Sequence, residues 1–412
     1  MIWSISWRNV WRNKIRSLAI ILAVTIGLFG GIFTYAFMIG MSVQRTNAAI
    51  EYEISNIQIH NPKFLLNEEI NFTINNPDKL ISIIENTSDV KAVCKRIKCP
   101  GMASTAITGT GVVINGVNPE KEKQVSKLYT KLTSGKYFEK GDKIPVVIGQ
   151  KLAKKLKAKV GSKIVVTVAN IEGIITYGAY IVIGIYKTGN DVFDEVNIFV
   201  ESEGFSTLID FDNSKTSEIA ITLNNNDKTK QVVDLLKVKL KNDVTKKNIT
   251  IETWEQIQPT LNAMTSMMDI MSYIFLVIIL IALAFGIVNT MLMVVMERVR
   301  ELGMLMAIGM NHKKVFSMIM LETIFLSIIG GVFGIVISIL IVNYFNVHGI
   351  DLAIIGEGFN SLGYSSIVYL QADSIFYIEA AILVVITAII SSIYPALKAL
   401  KLNPADAVRE EA

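Results

Sequence analysis

Four long stretches of this chain carry almost no charge, and that feature limits its folds more than any other. Leu18 to Met41 and Ile270 to Met296 hold no charged residue, Val315 to Phe345 holds only Glu322, and Ser374 to Tyr394 only Glu379. A helix that crosses a bilayer needs about 20 largely apolar residues, and each run meets that length. No water reaches backbone N–H and C=O groups in hydrocarbon, so such a run crosses as a helix. The expectation is an α-helical membrane protein with spans at 18–41, 270–296, 315–345 and 374–394. The first run is too long for the core of a secretion signal and no small-residue cleavage site follows it, so it is expected to stay as an anchor.

Composition narrows the function classes. Of 412 residues, 51% are hydrophobic and 18% charged, against about a quarter charged in an ordinary soluble domain. The net charge of +4 is too small and too dispersed to suggest a nucleic-acid partner. Three scattered histidines, with no HExxH and no CxxC, argue against a metal centre. A phosphate-binding GxxxxGK[ST] loop is missing too. Nothing in the sequence reads as catalytic machinery, so energy from ATP would have to enter through another chain.

Lys and Arg flanking the spans set an expected orientation. Arg8, Arg12, Lys14 and Arg16 precede the first span; Arg298, Arg300, Lys313 and Lys314 lie between the second and third; Lys398, Lys401 and Arg409 follow the fourth. The 346–373 connection has no Lys or Arg. Both termini and the 297–314 connection are therefore expected in the cytoplasm, with 42–267 and 346–373 outside. Within residues 1–17, Trp3, Trp7, Trp11 and Ile15 recur every four residues beside Arg8, Arg12 and Arg16. That stripe reads as an amphipathic helix lying in the membrane interface, or else as the start of the first span.

Residues 42–267 alternate short β-rich runs with helical ones and should form an α+β domain of two lobes. Ile54–Ile59, Lys163–Val168 and Tyr180–Tyr186 read as strands. Pro77–Asn86, Gln150–Ala158 and Lys228–Leu240 read as helices.

Several segments resemble one family, the FtsX/MacB-type permeases of ABC transporters. Arg8-Asn-Val-Trp-Arg-Asn-Lys14 resembles the family's basic leading helix, and Glu297 through Gly309 its cytoplasmic coupling segment. Glu322 followed by Gly330, Gly331 and Gly334 resembles its third span, and Pro395 through Arg409 its C-terminal tail. In the outer domain Gly116–Pro119, Ser134–Phe138 and Val147–Ala153 are similar to the family's, while Ser55–His60 and Gly184–Gly189 lean towards the lipoprotein-releasing, LolC/LolE-type branch. The resemblance implies a permease of the bacterial inner membrane that pairs with a second copy or a sister permease and sits on two ABC ATPase subunits. ATP and its magnesium would bind those subunits, leaving no cofactor in this chain. The implied substrate is a lipoprotein extracted from the membrane, with a periplasmic carrier as a further partner. The alternatives are MacB-like efflux of a small molecule or peptide, and regulation of a periplasmic hydrolase.

Residue by residue, Glu297, Arg298, Glu301, Leu302, Gly303, Met306, Ala307 and Gly309 are the candidates for ATPase coupling. Val299, Leu302, Met306 and Met310 share an apolar face. Gly303 and Gly309 lower helix propensity by up to about 1 kcal/mol each, which close docking of a partner would explain. Glu322 is either a structural partner of Arg298 or Lys314 or a functional charge within the span. Gly330, Gly331 and Gly334 suit close helix packing. Phe29, Phe33 and Phe37 with Met264, Met267, Met268 and Met271 suit a groove for acyl chains or other apolar ligands, and suit lipid contact and helix packing equally. Cys94 and Cys99 are either a local disulfide across a turn at Pro100-Gly101 or two buried thiols.

Overall fold

The computed structural model describes residues 2–400 except 13, 68, 140, 142, 143, 353, 355 and 362. Residues 401–412, and with them Lys401, Arg409 and the part of the expected tail motif after Leu400, lie outside the described residues. The chain forms two units: Met1–Ser42 with Ser266–Asp351 and Ile367–Ala412, and Val43–Thr265 with Leu352–Ser366.

Among the described residues four helices are long and apolar enough to cross a membrane, and they contain the four expected spans. They run Lys14–Ala48, Pro259–Glu297, His312–His348 and Ser374–Leu400, and we call them the first to fourth spans. All outrun the apolar stretches that announced them. The second has 39 residues, about 58 Å of helix against a hydrocarbon core of about 30 Å. The fourth continues through Pro395, where the sequence suggested a tail. The N-terminal helix stops at Arg12, so Ile15 and Arg16 belong to the first span rather than to a separate 1–17 element. That helix buries Ser6 and Val10 and turns its three Trp outward. Ser6 Oγ donates to Met318 O on the third span at 3.2 Å, and Trp3 and Trp7 pack edge-on against Phe325.

The spans pack through small residues. A Cβ on Gly330 would stand 2.8 Å from Ile21 O, and one on Gly334 3.0 Å from Leu28, so both glycines admit the first span. Thr25 Oγ1 donates to Gly330 O across that contact at 3.0 Å. Gly331, expected with them, does not share the role: a Cβ there would meet nothing within 4 Å. On the first span's other side, Gly31 gives room to Leu276 of the second span, and Gly27 to Leu283. Tyr35, Tyr273 and Phe376 lock three spans together, Tyr35 stacking on Phe376 at 3.4 Å.

The second unit is built on ten hydrogen-bonded strands. In chain order they are β1 (Ile57–His60), β2 (Val90–Ser104), β3 (Gly109–Val117), β4 (Leu132–Gly135), β5 (Pro145–Gly149), β6 (Lys163–Ala169), β7 (Ile175–Tyr186), β8 (Asn197–Glu201), β9 (Glu218–Leu223) and β10 (Thr250–Thr253). Six of them close on themselves. β2 pairs with β3, β3 with β8, β8 with β5, β5 with β7, β7 with β6, and β6 returns to β2. Ile97, Ile114, Val146, Ile148, Ile164, Val166, Val182 and Ile198 fill this barrel. The first half of β2 instead joins β9, β1 and β10 in an open sheet. Helices Pro77–Glu85 and Thr229–Lys239 cover it, packing Leu80, Ile84, Val232 and Leu236 on Ile57, Ile219 and Ile251. One strand of 15 residues thus serves both lobes.

Four of the expected elements here appear within a few residues of their ends: the helices near 77–85, 150–156 and 229–239 and the strand at 163–169. The strand expected at 180–186 is the second half of β7. The strand expected from Ile54 begins at Ile57, because Ala49–Ile54 is a π-helical turn ended by Ser55 at φ 77°. A local disulfide is ruled out. Cys94 and Cys99 are buried five residues apart on β2, in separate clusters. Their Cα atoms are about 16 Å apart in extended chain, against less than 7 Å for a bridge. Pro100-Gly101 continues the strand and makes no turn. In the connection 346–373, Ile350–Asp351 pairs with Ile367–Val368, and 352–366 belong to the second unit.

Candidate functional site

The segment between the second and third spans is where the sequence and the geometry converge. Residues Val299–Ala307 form a short helix after a break at Arg298, and His312 starts the third span with Asn311 as its cap. The cap is the ordinary one: the Asn311 side chain accepts the Lys313 N–H at 3.0 Å.

A chain of ion pairs ties this helix down. Arg298 Nε donates to Glu301 at 3.0 Å, and its Nη1 reaches both oxygens of Glu322 at 3.1 and 3.3 Å. Glu301 also accepts from Arg12 of the N-terminal helix, and Arg16 pairs with Glu297. Three arginines and three glutamates therefore join the N-terminal helix, the first three spans and the connecting helix. The Arg12 hydrogen bond holds the Glu301 carboxyl below the usual glutamate range, and Arg298 adds to it. Glu322 takes the structural role weighed for it, as the buried partner of Arg298.

Two candidate residues have a role in this chain's own fold. Gly309 has φ +99°, and its N–H bonds to Met306 O while the Met310 N–H bonds to Leu305 O. That is a left-handed C-terminal cap, which glycine fits because it has no Cβ. Gly303 is buried inside the unit together with Leu302 and Met306. A large side chain at 303 would thus disturb this chain's own packing and cannot report cleanly on docking. The outward face is formed by Met304, Ala307 and Ile308, with Met304 49% and Ile308 86% exposed. Two large apolar side chains thus stand outward beside a charged network.

The candidate groove residues are less coherent. Phe29 and Phe33 touch at 5.7 Å, while Phe33 and Phe37 pack half-buried on the bundle core. Met267 is exposed, and Met268 and Met271 are half-buried. Met264 lies in the second unit, the other six in the first. An apolar cavity of about 640 Å3 in the first unit lies elsewhere, between the third and fourth spans.

Comparison with known proteins covers nearly the whole chain. The MacB-like periplasmic core domain matches residues 17–238 and the FtsX-like permease C-terminal region matches 273–404. An uncharacterised ABC transporter permease of Methanocaldococcus jannaschii is 25% identical over 68% of this chain and 66% of its own length. The lipoprotein-releasing system transmembrane protein LolC of Neisseria meningitidis is 25% identical over 81% of each chain. The macrolide export ATP-binding/permease protein MacB of Mannheimia succiniciproducens is 32% identical over 28% of this chain, which spans only 18% of that protein.

Proposed function

This chain belongs to the ABC-transporter permeases that join a MacB-like periplasmic core domain to an FtsX-like permease region, and from that premise we propose that it is the membrane subunit through which a separate ATPase drives release of lipoproteins from the membrane. The observation that carries the coupling part is the outward apolar face of the connecting helix, Met304, Ala307 and Ile308, on a helix braced by Arg12, Arg298 and Glu322. A stroke delivered to that face passes through ion pairs to the N-terminal helix and the third span, because a braced helix moves with its neighbours. Both termini and the connecting helix lie in the cytoplasm, and the second unit lies outside. Two ATPase subunits would serve a pair of permeases, either two copies or this chain and a sister.

The lipoprotein part rests on the even 81% coverage shared with LolC. MacB-like efflux is the competing reading, favoured by the higher local identity to MacB. The coupling test is Met304→Asp with Ile308→Asp. Both sites are exposed, so the variant should insert and purify normally. It should lose co-purification with the ATPase and the transport that depends on it. Retained assembly and ATP turnover would remove the connecting helix from the coupling role. For the substrate, a photo-crosslinker at Phe33 or Met267 should trap an acylated protein. Capture of a drug or an unacylated peptide would move the assignment to efflux.

A further inference from the structure

The cavity between the third and fourth spans has an order along its length. Asn343 and Asn346 lie in the last turns of the third span, and Gln371 and Tyr377 stand beside the start of the fourth. Ile335 and Ile382 line the opposite end. From Asn343 to Ile335, and from Ser374 to Ile382, each wall descends eight residues, about 12 Å of helix. Polar groups thus gather at one rim, and an apolar wall runs inward from it on both helices. The rim is partly fixed, since Asn346 Nδ2 donates to Leu370 O at 2.7 Å. The side chains of Asn343 and Gln371 make no hydrogen bond among the described residues. Two open carboxamides at the rim of an apolar wall offer donors to a ligand that carries both a carbonyl and a hydrocarbon chain. About 640 Å3 also falls within the usual range for a small-molecule site.

We propose that this cavity binds one acyl chain of a membrane amphiphile, with the Asn343 and Gln371 carboxamides donating to its ester or amide carbonyl. The chain lies along the Ile335–Ile382 shaft, and the headgroup stays at the rim. On the topology proposed above, the rim faces the outer leaflet; the binding itself does not depend on that orientation or on the ATPase. A phospholipid and an acylated protein offer the same chemistry, and the experiment separates them.

The full chain is reconstituted in nanodiscs of phosphatidylethanolamine and phosphatidylglycerol. One arm adds phosphatidylethanolamine with a diazirine in its acyl chain, the other a diacylated lipopeptide with the same label. After photolysis, cross-links are mapped by mass spectrometry. Labels should concentrate on residues 335–346 and 371–382, above the level at Val332, which faces outward on the same span. Filling the shaft with Ile339→Trp should abolish that excess. Asn343→Leu with Gln371→Leu should lower it about fivefold, the worth of about one hydrogen bond, without filling the space. Excess in the lipopeptide arm assigns an acylated-protein site, and excess in the phospholipid arm a resident lipid. Equal labelling at the cavity and at Val332 in both arms overturns the proposal, leaving ordinary boundary lipid. So does an excess that survives both the tryptophan and the double-leucine variants when these purify monodisperse.

Discussion

The third span and the barrel of the second unit differ in what they bury. The span mixes Thr323, Ser327, Gly330, Gly334 and Ser338 with Met318, Ile319, Leu326 and Val342 on its buried side, and turns Ile328, Val332, Phe333, Val336 and Leu340 outward. The barrel buries Ile and Val on its inner face. In water, burying an apolar side chain is the main gain of folding. In a bilayer that gain is absent between helices, so close approach of small residues and interhelical hydrogen bonds take over. Hydrophobicity therefore marks the inside of the barrel, but both the inside and the outside of the membrane unit. Both units bury ion pairs: Arg298 with Glu322 in the first, Arg96 with Glu122 and Glu218 in the second.

The largest effect is expected where a charge is sealed most completely. Arg96 is 4% exposed and bonds to Glu122 at 2.7 and 3.0 Å and to Glu218 at 3.0 Å. Arg96→Met should destabilise the second unit by about 3–5 kcal/mol, because buried Glu122 loses its partner and buried Glu218 keeps only Lys98. Limited proteolysis of the full chain in denaturant would read it; an unchanged midpoint would mean that water reaches the pair.

A smaller effect should expose the packing rule of the membrane unit. Gly330→Leu forces a side chain against Ile21 O and Val24 and should cost about 1–3 kcal/mol by overpacking. Gly331→Leu has open space and should change thermal stability in detergent far less. Equal losses would show that the two glycines are not distinguished by the first span.

The finest distinction is a pH dependence confined to the second unit. Burial raises Asp194 to about 7 and lowers His60 to about 4. Asp194 holds a proton in the folded state that it loses on unfolding above about pH 4, so its contribution falls as pH rises towards 7. His60 takes up its proton only on unfolding between about pH 4 and 6.5, so its contribution rises over that window. The slopes oppose each other. Asp194→Asn should make stability rise from pH 4.5 to 6.5, and His60→Gln should make it fall, each by up to about 1.4 kcal/mol per pH unit. Identical slopes in both variants would deny the two burials.

The same contrast explains what the sequence made legible. The spans were readable because a bilayer imposes a length and forbids charge, two properties visible residue by residue. Glu322 and Gly330 were readable for the same reason, as exceptions inside an apolar run. Gly27 and Gly31 carried that small-residue spacing in plain view. Closure of the barrel was not readable, since it depends on β6 returning to β2 across some sixty residues, a long-range pairing with no local mark. β2 was obscured further by Lys95, Arg96 and Lys98, which break its alternation, and by Pro100. That proline lies between the stretch paired with β9 and the stretch paired with β6, where that edge of β2 has no ladder to maintain. Gly303 and Gly309 were ambiguous because a glycine in a helix signals a close approach or a left-handed turn equally.

The central claim is the proposed topology, which puts the second unit outside and the connecting helix in the cytoplasm, and single-cysteine labelling tests it. Tyr177 is 76% exposed on β7 and Ile308 86% exposed after the connecting helix. With Cys94 and Cys99 replaced by alanine, cysteines are introduced one at a time as Tyr177→Cys and Ile308→Cys. Cells whose outer surface is open to a membrane-impermeant maleimide should be labelled at 177, and at 308 only after the membrane is permeabilised. Labelling at 308 in intact cells, or protection of 177 until permeabilisation, would contradict the account.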